Sequence, residues 1–212
     1  TYTGGVASHA QVTATLNNYV AAEYVDDFDQ LKTNFDFRQT YAESIGAALA
    51  RAYDSEIITV LDASSPSTTV TAGSGLTKAK FLEVAEGLNN NSVDTAERYM
   101  VMSPAALTDL LADSGVTTAA DGVISNTALT TGFIPNFLGF NIILSNLLNE
   151  ASTGVRKCYA FQKNSVGLAI GKDVTAMINY VPQKVSHLVA GEFSAGAAVI
   201  DATGVALINV TE

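Results

Sequence analysis

Val25-Asp26-Asp27-Phe28-Asp29 opens the stretch that sets the architecture. It continues through Asn34-Phe35-Asp36-Phe37-Arg38-Gln39-Thr40-Tyr41-Ala42 to Ile45-Gly46-Ala47-Ala48-Leu49-Ala50-Arg51-Ala52-Tyr53-Asp54. From Phe28 onward the apolar positions Phe28, Leu31, Phe35, Ala42, Ile45, Leu49 and Ala52 keep a three-and-four spacing, interrupted only at Arg38. That period places them on one stripe of a helix, a core stripe rather than a cofactor-binding one. Asp26, Asp27 and Asp29 fall at its N-terminal end, where the helix dipole favours acidic groups. The reading predicts a single helix over 27–61, roughly 50 Å long. Such a rod exceeds what a compact domain of 212 residues needs and implies support from adjoining copies.

Ahead of the rod, Val12, Ala14 and Leu16 alternate with Gln11, Thr13 and Thr15, which predicts a strand over 6–16. Asn17-Asn18 reads as a turn and Tyr19 to Val25 as a second strand. Behind the rod, Ser64 to Gly75 is a Ser/Thr/Gly/Pro loop, and Thr77 caps a helix over Lys78 to Leu88 that Asn89-Asn90-Asn91 ends. Arg98 to Met102 is a short buried strand, and Ser103-Pro104 an N-cap with proline at the first helical position, opening a helix over Ala105 to Ala112. Gly115 to Gly132 holds almost no period and reads as a long loop or a pair of weak strands, unusual enough to suggest a functional contact surface. Strands follow at Gly139 to Ser145, Lys157 to Gln162 and Val174 to Val181. A short helix after Pro182 carries His187, and a closing hairpin joins Gly196 to Ile200 with Val205 to Val210 through Asp201-Ala202-Thr203-Gly204. The mixture is α+β.

Composition narrows the function. Apolar residues make up 48% of the chain, but charged residues only 15%, where roughly 25% is usual. A surface so poor in charge is less costly to desolvate and suits a subunit covered by neighbours. The net charge of −10 leaves no electrostatic footprint for nucleic acid. A single cysteine excludes an intrachain disulfide framework and fits synthesis in a reducing cytoplasm. The most apolar run, Leu138 to Leu148, is broken by Asn141, Ser145 and Asn146 and is too short to span a bilayer. No signal peptide is visible, and the start at Thr1 rather than Met predicts a segment upstream.

Candidate chemistry is sparse. Cys158 and His187, with an aspartate, would make a nucleophilic triad, but no nucleophile elbow surrounds Cys158, and its apolar strand makes it a buried small hydrophobe. His9 lies far from His187 in sequence. The acidic run Glu23 to Asp29 lacks the glycine and distal glutamate of a calcium loop. Gly73-Ser74-Gly75-Leu76-Thr77-Lys78 superficially echoes a phosphate loop without its spacing. Asn90-Asn91-Ser92 and Asn209-Val210-Thr211 match the glycosylation triplet, which matters only in a secreted eukaryotic protein. No catalytic, cofactor-binding or metal-ligating residue is assigned, and no enzyme is expected.

The ordered motifs resemble the major capsid proteins of tailed bacteriophages, the Hong Kong 97-type fold, and those of short-tailed podoviruses in particular. The resemblance rests on the Val25 to Asp54 stretch; on Arg98-Tyr99-Met100-Val101-Met102-Ser103-Pro104; on Ile134, Gly139-Phe140-Asn141-Ile142-Ile143 and Ser145-Asn146-Leu147; and on Gly196 to Val210. It covers nearly the whole chain, although the N-terminal arm and first half of the family's extended loop have no counterpart here. The resemblance implies that residues 1–25 are the returning strand of that loop, lying over a neighbour. It makes 26–75 a peripheral domain with a long spine helix and a sheet, 76–181 an axial α/β domain with loop 115–132 at the capsomer centre, and 182–212 a closing helix and hairpin. It further implies pentamers and hexamers of an icosahedral virion head assembled in the bacterial cytoplasm. That head would enclose double-stranded DNA without sequence-specific binding, with scaffold, portal and decoration proteins as partners and no membrane. An encapsulin-like nanocompartment shell and a secreted β-rich adhesin are the alternatives.

Overall fold

The computed structural model describes residues 11–34, 36–113 and 132–212. Strand β1 (Asn17–Asp26) leads into helix α1 (Asp27–Lys32) and then α2 (Phe37–Ala63). After strand β2 (Thr68–Val70) come α3 (Lys78–Asn90), β3 (Arg98–Met102) and α4 (Pro104–Ala112). Among the described residues the strands that follow are β4 (Asn136–Phe137), β5 (Phe140–Leu144), β6 (Glu150–Ser152), β7 (Val155–Gln162), β8 (Val166–Val181), β9 (Ser186–Val199) and β10 (Val205–Thr211), with short 3-10 turns at Lys163–Ser165 and Ala202–Gly204. The α+β expectation holds.

The strands form two sheets. Seven make a mixed sheet in the order β2-β10-β7-β3-β5-β4, with β6 paired to β7. Three long antiparallel strands make the other, β1-β9-β8. Each sheet has its own apolar core. The larger gathers Phe81, Val84 and Leu88 of α3, Ala106, Leu107 and Leu110 of α4, and Met100, Met102, Phe140, Tyr159 and Ile208 of the strands. The smaller gathers Val25, Val189, Phe193 and Ala195. Helix α2 belongs to both: Ile45 and Leu49 enter the small core, Ile58 and Leu61 the large one. At 27 residues it is about 40 Å long, a rod that joins two separately packed regions.

Several sequence expectations are corrected. The helix foreseen over 27–61 is two helices, because local capping overrides the apolar period. Asp26 caps α1 by accepting from the Phe28 amide at 2.8 Å, and Thr33 turns extended to end it. Asp36 opens α2 by accepting from the Arg38 amide at 3.0 Å. The turn at Asn17-Asn18 does not form: both residues lie in β1, opposite Ala195 and Ser194. Of the strand foreseen over 6–16, residues 11–16 carry no strand and 6–10 lie outside the described residues. The loop foreseen over 64–75 contains β2, which pairs in parallel with β10.

Thr77 makes no side-chain cap; the Asp113 carboxylate accepts from the Lys78 amide at 2.9 Å instead. Ser103 does cap α4, accepting from the Ala106 amide at 3.1 Å. His187 lies on β9, not on a helix, since residues 182–185 are a turn joining β8 to β9. The closing hairpin is also absent. Both edges of β9 are taken by β1 and β8, so β10 crosses to the other sheet between β7 and β2. The contact loop foreseen over 115–132 lies, except for Gly132, outside the described residues.

Candidate functional site

Cys158 and His187, the described members of the foreseen triad, are each engaged in structure. Cys158 is fully buried, and burial pushes its thiol up to about 11, so it is an inert thiol at neutral pH. His187 is paired across 3.3 Å with Asp27, which joins β9 to α1, and its ring lies 5.2 Å from that of Tyr180. No nucleophile is within this arrangement. His9 lies outside the described residues. Among the described residues no three His, Cys, Asp or Glu side chains gather as a metal site, and no helix is long and apolar enough to cross a membrane.

Several of the lysines and arginines are paired within the subunit as well. Arg156 meets Glu150 and Glu212, Lys157 meets Asp62, Lys163 meets Glu97 and Lys172 meets Glu192. Lys80 donates to the carbonyls of Ser74 and Asn209 at 2.8 and 3.0 Å; burial lowers its pKa. Arg98 is buried on the carbonyls of Asp94 and Val93, and burial lowers its pKa too. Lysines and arginines tied up in this way are not arrayed for phosphate contacts.

One internal carboxylate escaped sequence reading. Glu56 is buried on α2 and accepts from Asn17 Nδ2 at 2.9 Å and Tyr19 Oη at 2.5 Å. It clamps the start of β1 to the rod, beside the stack of Tyr19 on Phe193 on Tyr53. The signal was legible: Glu56 continues the stripe from Ala52 by one step of four, and a charge there needs partners. Asp62, near the end of α2, likewise holds Lys157, Tyr159 and Asn149. The Lys157 hydrogen bond chiefly holds its carboxyl below the usual carboxylate range, with Tyr159 and Asn149 adding to the effect and burial opposing it.

What the molecule presents outward is apolar surface. Strand β8 runs 16 residues along the outside of the three-stranded sheet, paired among the described residues to β9 alone. Ile170, Ile178 and Tyr180 on it are 55%, 49% and 50% exposed. Helix α1 buries no side chain, and its Phe28 and Leu31 are 64% and 81% exposed. On α2, Gly46, Ala47, Ala48 and Ala50 face solvent where a free-standing helix would carry Lys and Glu. Apolar clefts beside Ile57, bounded by Ile143, Phe161 and Leu168, continue this surface onto the larger sheet. A monomer that left so much apolar area and a long sheet edge bare would aggregate. The arrangement is that of a subunit completed by other subunits.

Comparison with known proteins gives the class. A structure from Mycobacterium phage Che8 aligns with 22% identity and a TM-score of 0.75, covering 91% of this chain and 70% of that one. The capsid of cyanophage P-SCSP1u aligns with 17% identity and a TM-score of 0.75, covering 98% and 80%. The crystal structure of a virus-like particle from Pyrococcus furiosus aligns with 13% identity and a TM-score of 0.63, covering 91% and 75%. No curated protein matches the chain. The fold is therefore that of Hong Kong 97-type shell subunits. The phage capsid protein family matches residues 5–212, and the chain belongs to that family. It is a major capsid structural protein of the virion that assembles into an oligomeric shell.

Proposed function

We propose that the subunit closes into pentamers and hexamers of an icosahedral head, assembled in the bacterial cytoplasm around a scaffold and a portal, and enclosing double-stranded DNA. It acts without catalysis, resident metal or cofactor. DNA is contained rather than bound, in keeping with the net charge of −10 and the internal pairing of several of its cations. The peripheral domain is taken as 26–75 with the returning strand 1–25 and the closing segment 182–212, and the axial domain as 76–181. By strand pairing we move β8 to the peripheral part, because it pairs along its length with β9, and β2 and β10 to the axial part, because β10 pairs with β7 and β2.

The observation that carries the reading is the bare apolar surface of α1, α2 and β8 on a chain of the phage capsid family. Negative-stain microscopy of the full-length protein, expressed with and without its scaffold, tests it: closed shells are expected, and only small soluble monomers would end the proposal. A nanocompartment shell is the alternative, and the family match favours the phage head over it. Gene neighbours separate the two: portal and terminase genes accompany a phage head, a peroxidase or ferritin-like gene a compartment. The adhesin reading is given up, since 33% of the described residues are helical and the chain belongs to a capsid family.

A further inference from the structure

Strand β9 is approached closely on both faces, and glycine makes each approach. On one face Gly191 lies under α2: a Cβ there would stand 2.7 Å from Ile45 Cγ2 and from Leu49 Cδ1. Gly196 is five residues on, an odd number of steps along the strand, so it faces the opposite side. There a Cβ would stand 2.1 Å from the backbone oxygen of Thr15 and 2.7 Å from its carbonyl carbon. The pairing of β1 with β9 stops at Asn17, opposite Ala195. Continued pairing would place Leu16 beside Gly196. Instead the chain leaves the ladder and Thr15 lies over Gly196, while the tip of Leu16 rests on Gly171 of β8, where a Cβ would meet Leu16 Cδ1 at 2.8 Å. Thr15 and Leu16 therefore cross β9 toward β8, on the face that α2 does not cover.

We infer that Gly196 is a positioning residue for assembly: the space above it sets the direction in which the segment preceding Asn17 leaves the subunit toward a second copy of this chain. Val12 and Leu16 in that segment are each 48% exposed, so their own subunit leaves apolar side chains available to a neighbour. The inference rests on the self-assembly reading above. The two glycines under the crossing differ in what they meet. At Gly171 the obstacle is the far end of a flexible side chain, which rotates aside. At Gly196 it is backbone, and the pair must separate by roughly 1 Å or more to reach ordinary contact. Residues Gln11 to Ala14 inherit that change of direction.

The test compares Gly196→Ala with Gly171→Ala in the full chain. Three readouts are taken: thermal unfolding of the unassembled subunit, closed particles by negative stain, and the distance between spin labels at Gln11→Cys and Thr175→Cys. Cys158 is buried and stays unlabelled. Expected are a folded Gly196→Ala subunit with a shifted label distance and few or misshapen particles, and a Gly171→Ala subunit like the parent in all three. A folded Gly196→Ala subunit with the parental distance and parental particles overturns the inference while leaving the capsid reading intact. Failure of the parent itself to assemble strikes that reading instead. If Gly196→Ala does not fold, Thr15→Gly with Leu16→Gly decides, because it frees the crossing without touching β9. A broadened label distance with lost particles supports the inference, and parental particles overturn it.

Discussion

The two sheets of this subunit are finished in different ways. In the seven-stranded sheet, Met100, Met102, Phe140, Ala160 and Ile208 have no exposed surface, and α3, α4 and the end of α2 close over them. In the three-stranded sheet, one face holds a thin core of Val25, Val189, Phe193 and Ala195 under α2, and β8 lies mostly bare. The first region carries its stability within itself. The second has a folded inner layer and an outer layer that other copies complete. Burial thus separates the residues that make a subunit from those that make a shell.

Four substitutions would break or sharpen that contrast, taken from the largest effect on subunit stability to the smallest. Phe81 is fully buried, with its ring 5.0 Å from Phe137 and 6.0 Å from Phe140 in edge-on contact. Phe81→Ala should cost about 3–5 kcal/mol in urea unfolding; a small cost would deny the large sheet its role as the stable half. Phe193 is stacked between two tyrosines in the thin core. Phe193→Ala should cost about 3 kcal/mol, with hydrogen exchange rising in β1, β8 and β9 ahead of the larger sheet. Uniform exchange would mean the two regions are one cooperative unit.

Asp62→Asn should cost about 1 kcal/mol at pH 7, since the Lys157 pair is partly exposed. The sign with pH follows from a carboxyl held low in the folded state. Its stabilisation is complete above an ordinary aspartate pKa of about 3.9 and disappears as pH falls through the lower folded value. The gap between parent and variant, measured by urea titration at pH 7 and in acid, should narrow on acidification; a constant gap refutes the ion pair. Ile178→Thr, on the bare strand, should change subunit stability by no more than about 0.5 kcal/mol and yet reduce particle yield. Unchanged yield would remove β8 from the assembly surface.

Much of this was legible from residues alone, wherever the signal was local. Ser103-Pro104 marked the start of α4, and the apolar run Arg98 to Met102 the buried strand before it, because capping and short apolar runs act within a few residues. The rod was legible in its main part and wrong at its front. The spacing of Phe28 and Leu31 matched the helical stripe although neither is buried, and the Asp36 cap outweighed the period. The last 50 residues failed for a different reason. Alternation foretold strands but not partners, so β8 came out half its length and β9 and β10 were joined as a hairpin. Glu56 was overlooked because its partners, Asn17 and Tyr19, are 39 and 37 residues away.

The sequence by itself determined the α+β class, the long central helix, the shortage of charge and the family, since these follow from periodicity, composition and ordered local motifs. Tertiary structure alone decided how strands pair, which glycines admit a crossing chain, and which apolar residues stay bare. Those depend on contacts between residues distant in sequence, and a pattern of hydrophobicity is the same whether its cover comes from the same chain or from the next copy.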